Sequence, residues 1–234
     1  MAILLGGAAM AAACDTVYDP SPLVDPTGTD PGLRLDRRQF SKYGGLKITE
    51  AVAANDRDYL AQADKFFAGD RKKAANDVAD KGWQFFRAGT IDAAMSRWNQ
   101  AWMLDNCNGK ALWGFALVQY DRQKFAEATA LMAEAERYVG DDVDFLADKA
   151  RLRSFEGLRT GDQALIAEAF SSFAAVNARA PQHVMNLQNW AITLFYLGRY
   201  REAWEKIAQA EASPRAKELD QRFIAALREK MPRP

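Results

Sequence analysis

The residues equipped for proton transfer, nucleophilic attack or metal ligation are few: one histidine, His183, and two cysteines, Cys14 and Cys107. A structural zinc site needs four nitrogen or sulfur ligands, and a nucleophile needs a base beside it; three residues so widely spaced provide neither. His183 follows Pro181 with no cysteine or carboxylate at ligand spacing, which predicts a capping or surface imidazole. Asp141, Asp142 and Asp144 have the outline of a cation loop. Gly140-Asp141-Asp142 ahead of an apolar run is more simply a helix start, where carboxylates accept from unpaired amides. Phosphate loops of the form GxxxxGK[ST], and the patterns GxSxG, HExxH and CxxC, do not occur. No catalytic residue, metal or cofactor is predicted, and the chain is expected not to be an enzyme.

Charge removes another class of function. The 31 basic residues are matched by 31 acidic ones, so there is no excess to neutralise nucleic-acid phosphates, and nucleic acid is not a predicted partner. With 49% hydrophobic and 26% charged residues, the chain has the balance of a folded body.

From Ala2 to Ala13 the sequence AILLGGAAMAAA has no polar side chain, and Cys14 follows at once. This run is shorter than the ~20 residues of a membrane-spanning helix and suits a secretory leader, giving a signal peptide over 1–13. Ala11-Ala12-Ala13-Cys14 resembles the lipobox of bacterial lipoproteins. That resemblance implies acylation of Cys14, a membrane partner through the lipid, and a place on the periplasmic side of a Gram-negative cell membrane. Asp15 resembles an inner-membrane retention signal, but inner versus outer membrane stays open. In that case Cys107, in the turn Asp105-Asn106-Cys107-Asn108-Gly109, is expected as a partly buried turn thiol, with an intermolecular disulfide or reactive thiol as the alternative. Residues 14–45 carry Pro20, Pro22, Pro26 and Pro31 among Asp, Thr and Gly. They predict an extended tether of ~30 Å reach that forms no core.

The body is organised by a repeat. Ala94, Ala128, Ala169 and Ala203 are 34, 41 and 34 residues apart, each followed seven positions later by Ala101, Ala135, Val176 or Ala210. Gly82, Ala116 and Ala191 stand twelve positions before three of them, and Ala150 nineteen before Ala169. Small residues at this spacing let one helix of a pair approach another closely. Phe85, Trp98, Phe115, Phe125, Phe173, Trp190 and Tyr200 are the bulky partners expected to supply burial.

A 34-residue helix–turn–helix period resembles the tetratricopeptide repeat. The fourth repeat carries the resemblance best, with Leu187, Trp190, Ala191, Leu194, Gly198, Tyr200, Ala203, Ile207 and Ala210 at matching positions. The family implies an all-α fold: an α-solenoid of antiparallel helix pairs, four repeats over 78–214, after N-terminal helices over 46–77. A capping helix and tail over 215–234 should close it, with Ala216, Leu219, Phe223 and Leu227 covering the last pair. Lys149 and Arg153 occupy apolar positions of the third repeat, so its register is open. Its seven extra residues either lengthen both helices or enlarge the loop from Gly157 to Gly161.

In this family the first helices line a concave groove that binds peptides or helices. Matching positions here are Trp83, Phe86 and Arg87 in the first repeat and Trp113, Leu117, Tyr120 and Asp121 in the second, with Gln188, Ile192, Phe195 and Tyr196 in the fourth. The resemblance therefore predicts a protein partner and a non-enzymatic scaffold or adaptor. Its setting would be the assembly of a periplasmic or membrane complex, such as pilus, secretion or cell-wall machinery. The alternatives are a regulatory subunit that gates an envelope enzyme, or a soluble adaptor of the same repeat type. Some of these rings are instead expected between neighbouring first helices. Oligomeric state is left open.

Overall fold

The computed structural model describes residues 17–234. Its chain divides into two compact units that meet in sequence at Val139 and Gly140. The described residues are helical, with one isolated bridge, Val24 to Ile48.

The N-terminal unit contains α1 (Glu50–Phe66), α2 (Arg71–Arg87), α3 (Ile91–Leu104), α4 (Gly109–Asp121) and α5 (Phe125–Val139). Polar caps explain several of the starts: Thr49, Asp70 and Asn108 each accept an amide of the first turn. The expected boundary between 77 and 78 falls inside α2, because the apolar stripe Ala74, Ala75, Ala79, Gly82, Trp83 continues through it. In this unit α2 pairs with α3 and α4 with α5. The seams are the predicted small residues: Ala94, Ala101, Ala116, Ala128 and Ala135 are all fully buried.

Trp98 is the bulky counterpart, also fully buried. A Cβ at Gly82 would fall 2.5 Å from its Nε1, and one at Gly114 would fall 2.3 Å from its Cε2. Both α2 and α4 therefore present bare backbone to this one ring. Phe115 and Phe173 are buried as expected, but Phe85 is 37% exposed. Trp83 and Phe86 hold its expected place: their rings lie 5.3 and 5.6 Å from Trp98.

The largest departure from the sequence reading is the tether. From residue 18 onward it is a strap folded onto the N-terminal unit, with Tyr18 and Tyr43 buried. It forms short 3-10 turns at Ser21–Leu23, Pro31–Arg34, Arg37–Gln39 and Ser41–Gly45, and the first two use proline where φ must be fixed and no amide is needed. Asp30 and Asp36 cap two of them. Asp25 gathers the amides of Thr27, Thr29 and Asp30 at 2.8–2.9 Å. Proline and aspartate thus lower the entropy lost on ordering, and the two tyrosines provide burial.

The C-terminal unit contains α6 (Val143–Thr160), α7 (Gln163–Arg179), α8 (Val184–Tyr196), α9 (Tyr200–Glu211) and α10 (Gln221–Lys230). Here α6 pairs with α7, α8 with α9, and α8 also packs on α6. The register of the third repeat follows Ala150, which is buried with Ala169 and Phe173. Its extra residues lengthen both helices, to 18 and 17 residues against 13 and 12 in α8 and α9. Gly161, left-handed at φ 74°, ends α6.

The expected final helix from Arg215 is shorter. A 3-10 turn at Ala216–Glu218 precedes α10, which Asp220 caps. Leu219, Ile224 and Leu227 are buried in one cluster with Trp204 and Ile207 of α9.

Candidate functional site

The few chemistry-bearing residues turn out to hold backbone. Asp142 caps α6 by accepting from the amides of Asp144 and Phe145. His183 caps α8: its Nδ1 accepts from the Asn186 amide at 3.1 Å, and its Nε2 lies 2.8 Å from Asp144 Oδ1. The backbone oxygen of Asp141 accepts from Arg179 at 2.8 Å. Among the described residues, no three His, Cys, Asp or Glu side chains are grouped to hold a metal ion. Cys107 is disulfide-bonded, so the expectation of a turn thiol is corrected. Cys14, the predicted lipidation site, lies outside the described residues. No described helix is long and apolar enough to cross a membrane.

The predicted groove residues separate into core and surface. In the N-terminal unit Trp83 and Trp113 are each 8% exposed and Leu117 is 3% exposed. The rings of Trp83 and Trp113 pack at 4.3 Å between α2 and α4, and Trp83 Nε1 donates to the backbone oxygen of Lys110 at 3.2 Å. This is core packing between first helices, so these three are corrected from groove wall to core. Phe86 is half-buried, 5.6 Å from Trp83. Tyr120 is half-buried, with its ring 5.1 Å from that of Phe125. Arg87 and Asp121 are exposed.

In the C-terminal unit Gln188 is 5% exposed, and its Oε1 accepts from the Asp220 amide at 2.6 Å, so it secures the start of α10 and does not face a groove. Ile192 and Phe195 are half-buried. Phe195 is held edge-on by Tyr200 at 5.5 Å and Phe223 at 5.7 Å. Tyr196, next to it at the end of α8, is 67% exposed.

Two features escaped the sequence reading. One is a hollow of about 570 Å³ beside the turn from α1 to α2, lined among others by Phe66, Phe67, Lys73, Val78 and Lys81. Phe66 is 83% exposed. The turn itself forces this, since Ala68 and Gly69 both take positive φ and α1 stops before its last aromatic can be covered.

The other is the attachment of the strap. Asp56 lies on the buried face of α1 with Ala53, Leu60 and Ala63. It accepts from Tyr18 Oη at 2.7 Å and from both terminal nitrogens of Arg37, one of them at 2.8 Å. The Arg37 guanidinium also lies 4.1 Å over the ring of Tyr43. Burial is the main cause that pushes the Tyr18 hydroxyl up to about 12, with the neighbouring Asp56 adding to it. Asn99 of α3, fully buried, reads the strap backbone: it accepts from the Tyr43 amide at 2.8 Å and donates to the carbonyls of Phe40 and Arg38 at 2.9 and 3.1 Å. The sequence signal was a carboxylate and an amide set within apolar helix stripes.

Comparison with known proteins adds no relative. No family model, curated protein or solved structure matches the chain.

Proposed function

We propose that this chain is a non-enzymatic docking scaffold of the tetratricopeptide kind that works outside the cytoplasm and holds a protein partner during assembly of an envelope complex. The observation that carries the reading is Tyr196: a large ring left 67% exposed at the end of a well-packed helix, beside a Phe195 fixed by two other rings. A tyrosine has only two side-chain torsions to lose on binding, and Tyr is enriched among the residues that dominate interface energies. The paired helices with buried small-residue seams support the repeat resemblance. The apolar run before Cys14 and the disulfide at Cys107 support export, because disulfides persist in oxidising compartments.

The test is capture of partners from envelope extracts with Tyr196→Ala beside the parent chain. Binding should fall about tenfold or more, as for a contact worth ~1.4 kcal/mol or above. The melting transition should move little, since surface substitutions usually change stability by less than ~0.5 kcal/mol. Undiminished capture would remove Tyr196 from the docking surface.

A further inference from the structure

We propose that the seat beneath the strap is a docking site for a short non-helical segment of a partner protein, and that residues 37–45 of this chain fill it until that segment displaces them. The partner segment carries what the strap presents there, an arginine and, six positions later, an aromatic residue. This site lies within the N-terminal unit, and its case does not use Tyr196. Its walls come from α1, α3, α4 and α5. Asp56 of α1 takes the Arg37 guanidinium, and Asn99 of α3 bonds to the backbone of Arg38, Phe40 and Tyr43. Gln119 of α4 donates to Ser41 Oγ at 2.7 Å, and Glu134 of α5 accepts from Lys42 at 2.6 Å. Every polypeptide offers the main-chain groups that Asn99 reads. Asn99 therefore selects a backbone shape, and Asp56 selects the arginine.

Several observations mark the strap as a replaceable occupant. Gln119 is 1% exposed, and its Oε1 has no hydrogen-bond partner among the described residues. Buried polar atoms are normally paired, so the strap leaves an acceptor of the seat unused, and a segment with a second donor at that point would use it. The strap also holds two consecutive non-glycine residues in the left-handed region, Lys42 at φ 54° and Tyr43 at φ 56°. There Cβ crowds the following carbonyl, and such residues persist only where their surroundings hold them. Release relieves both. The seat itself does not depend on the strap, because α3, α4 and α5 are packed through the buried Ala94, Ala101, Ala116, Ala128 and Ala135. Asp56, Asn99 and Gln119 would meet water when the strap leaves, so uncovering them strands no polar group. An occupant tethered in cis competes at high effective concentration, and a partner's apparent affinity falls with the fraction of molecules whose seat is empty.

The experiment is fluorescence anisotropy of a labelled synthetic peptide, residues 35–46 of this sequence, added to the full-length chain. Lys42→Pro in the protein opens the strap without touching the seat, because proline holds φ at about −65°. Arg37→Ala in the protein is a second opener. Both should bind the peptide about tenfold or more tightly than the parent chain does. In both, hydrogen exchange should show strap amides losing protection while α4 and α5 keep it. Adding Asn99→Ala to Lys42→Pro should return binding to the parent level or below, although the strap is open. A peptide with Arg37→Ala should bind the opened chain about tenfold or more weakly, as for a lost hydrogen bond to a charged group. Equal binding to parent and opened chains, or binding to none of them, would overturn the docking site. Binding that survives Asn99→Ala, or the loss of arginine from the peptide, would overturn the seat. Strap amides that stay protected in both openers would overturn its displacement.

Discussion

Gly114 of α4 is the seat of Trp98 of α3: the ring's Cε2 lies 2.3 Å from where the first carbon of any side chain at 114 would stand. The Trp98 ring is closed in on the other side by Gly82, whose Cβ would fall 2.5 Å from Nε1. Three helices are thus pinned through one indole. A methyl group at 114 meets a rigid ring with no free rotamer to yield into. Gly114→Ala is expected to destabilise the N-terminal unit by about 1–3 kcal/mol, the usual range for overpacking. Urea unfolding followed by tryptophan fluorescence measures this, and an unchanged midpoint would contradict the wedge.

Asn99 satisfies three backbone groups of the strap at once, at 2.8, 2.9 and 3.1 Å. Removing its amide strands donors and acceptors away from water, at about 1–3 kcal/mol for each buried group left unpaired. In Asn99→Ala the strap should open before the helices unfold. Hydrogen exchange would show residues 38–45 losing protection while α4 remains protected. Equal loss throughout the unit would mean that strap and helices unfold as one body.

Tyr18 sets an alkaline limit. Its hydroxyl is raised from 10.0 to about 12, chiefly by burial and then by Asp56, and burial raises Tyr43 as well. A folded-state value above the unfolded one favours the neutral phenol. That stabilisation is complete below pH 10 and is lost as pH rises from about 10 through 12. The strap should therefore loosen in this window. Tyr18→Phe should lower stability at pH 8 but flatten its decline above pH 10, measured by thermal unfolding at a series of pH values. A decline as steep as in the parent chain would assign the effect to other groups.

Gln123 occupies the left-handed region at φ 62°, in the turn where the first and fourth repeats carry Gly89 and Gly198, both at φ 74°. A side chain there costs about 1–2 kcal/mol relative to glycine, offset in part by glycine's greater freedom in the unfolded chain. Gln123→Gly is expected to stabilise the N-terminal unit by about 0.5–1 kcal/mol. A lowered thermal midpoint would show that the Gln123 side chain contributes more than its backbone costs.

The helical pairs were legible because their signal is local and periodic. Ala94, Ala128, Ala169 and Ala203 recur at a spacing that places each on a buried face, and all four are fully buried. The caps at Asp142 and His183 were equally local, each a polar side chain standing before an apolar run. The candidate surface was less legible. Positions carried over from the repeat resemblance placed Trp83 and Trp113 outward, but whether a ring lies between two first helices or on their outer side depends on how the next pair sits.

The chain's own order of residues therefore set where helices begin and end, which positions had to be small, and that little chemistry is available to three histidine and cysteine side chains. Packing across distant residues set the rest. Tyr18 meets Asp56 across 38 positions, Asn99 meets Arg38 across 61, and Lys42 meets Glu134 across 92. Pairs so far apart leave no period in the sequence. A proline-rich stretch can stay solvated or fold onto a neighbour, and the choice depends on whether a buried carboxylate and a buried amide wait on the opposite surface. Here both do, so residues that look like linker become part of the folded unit.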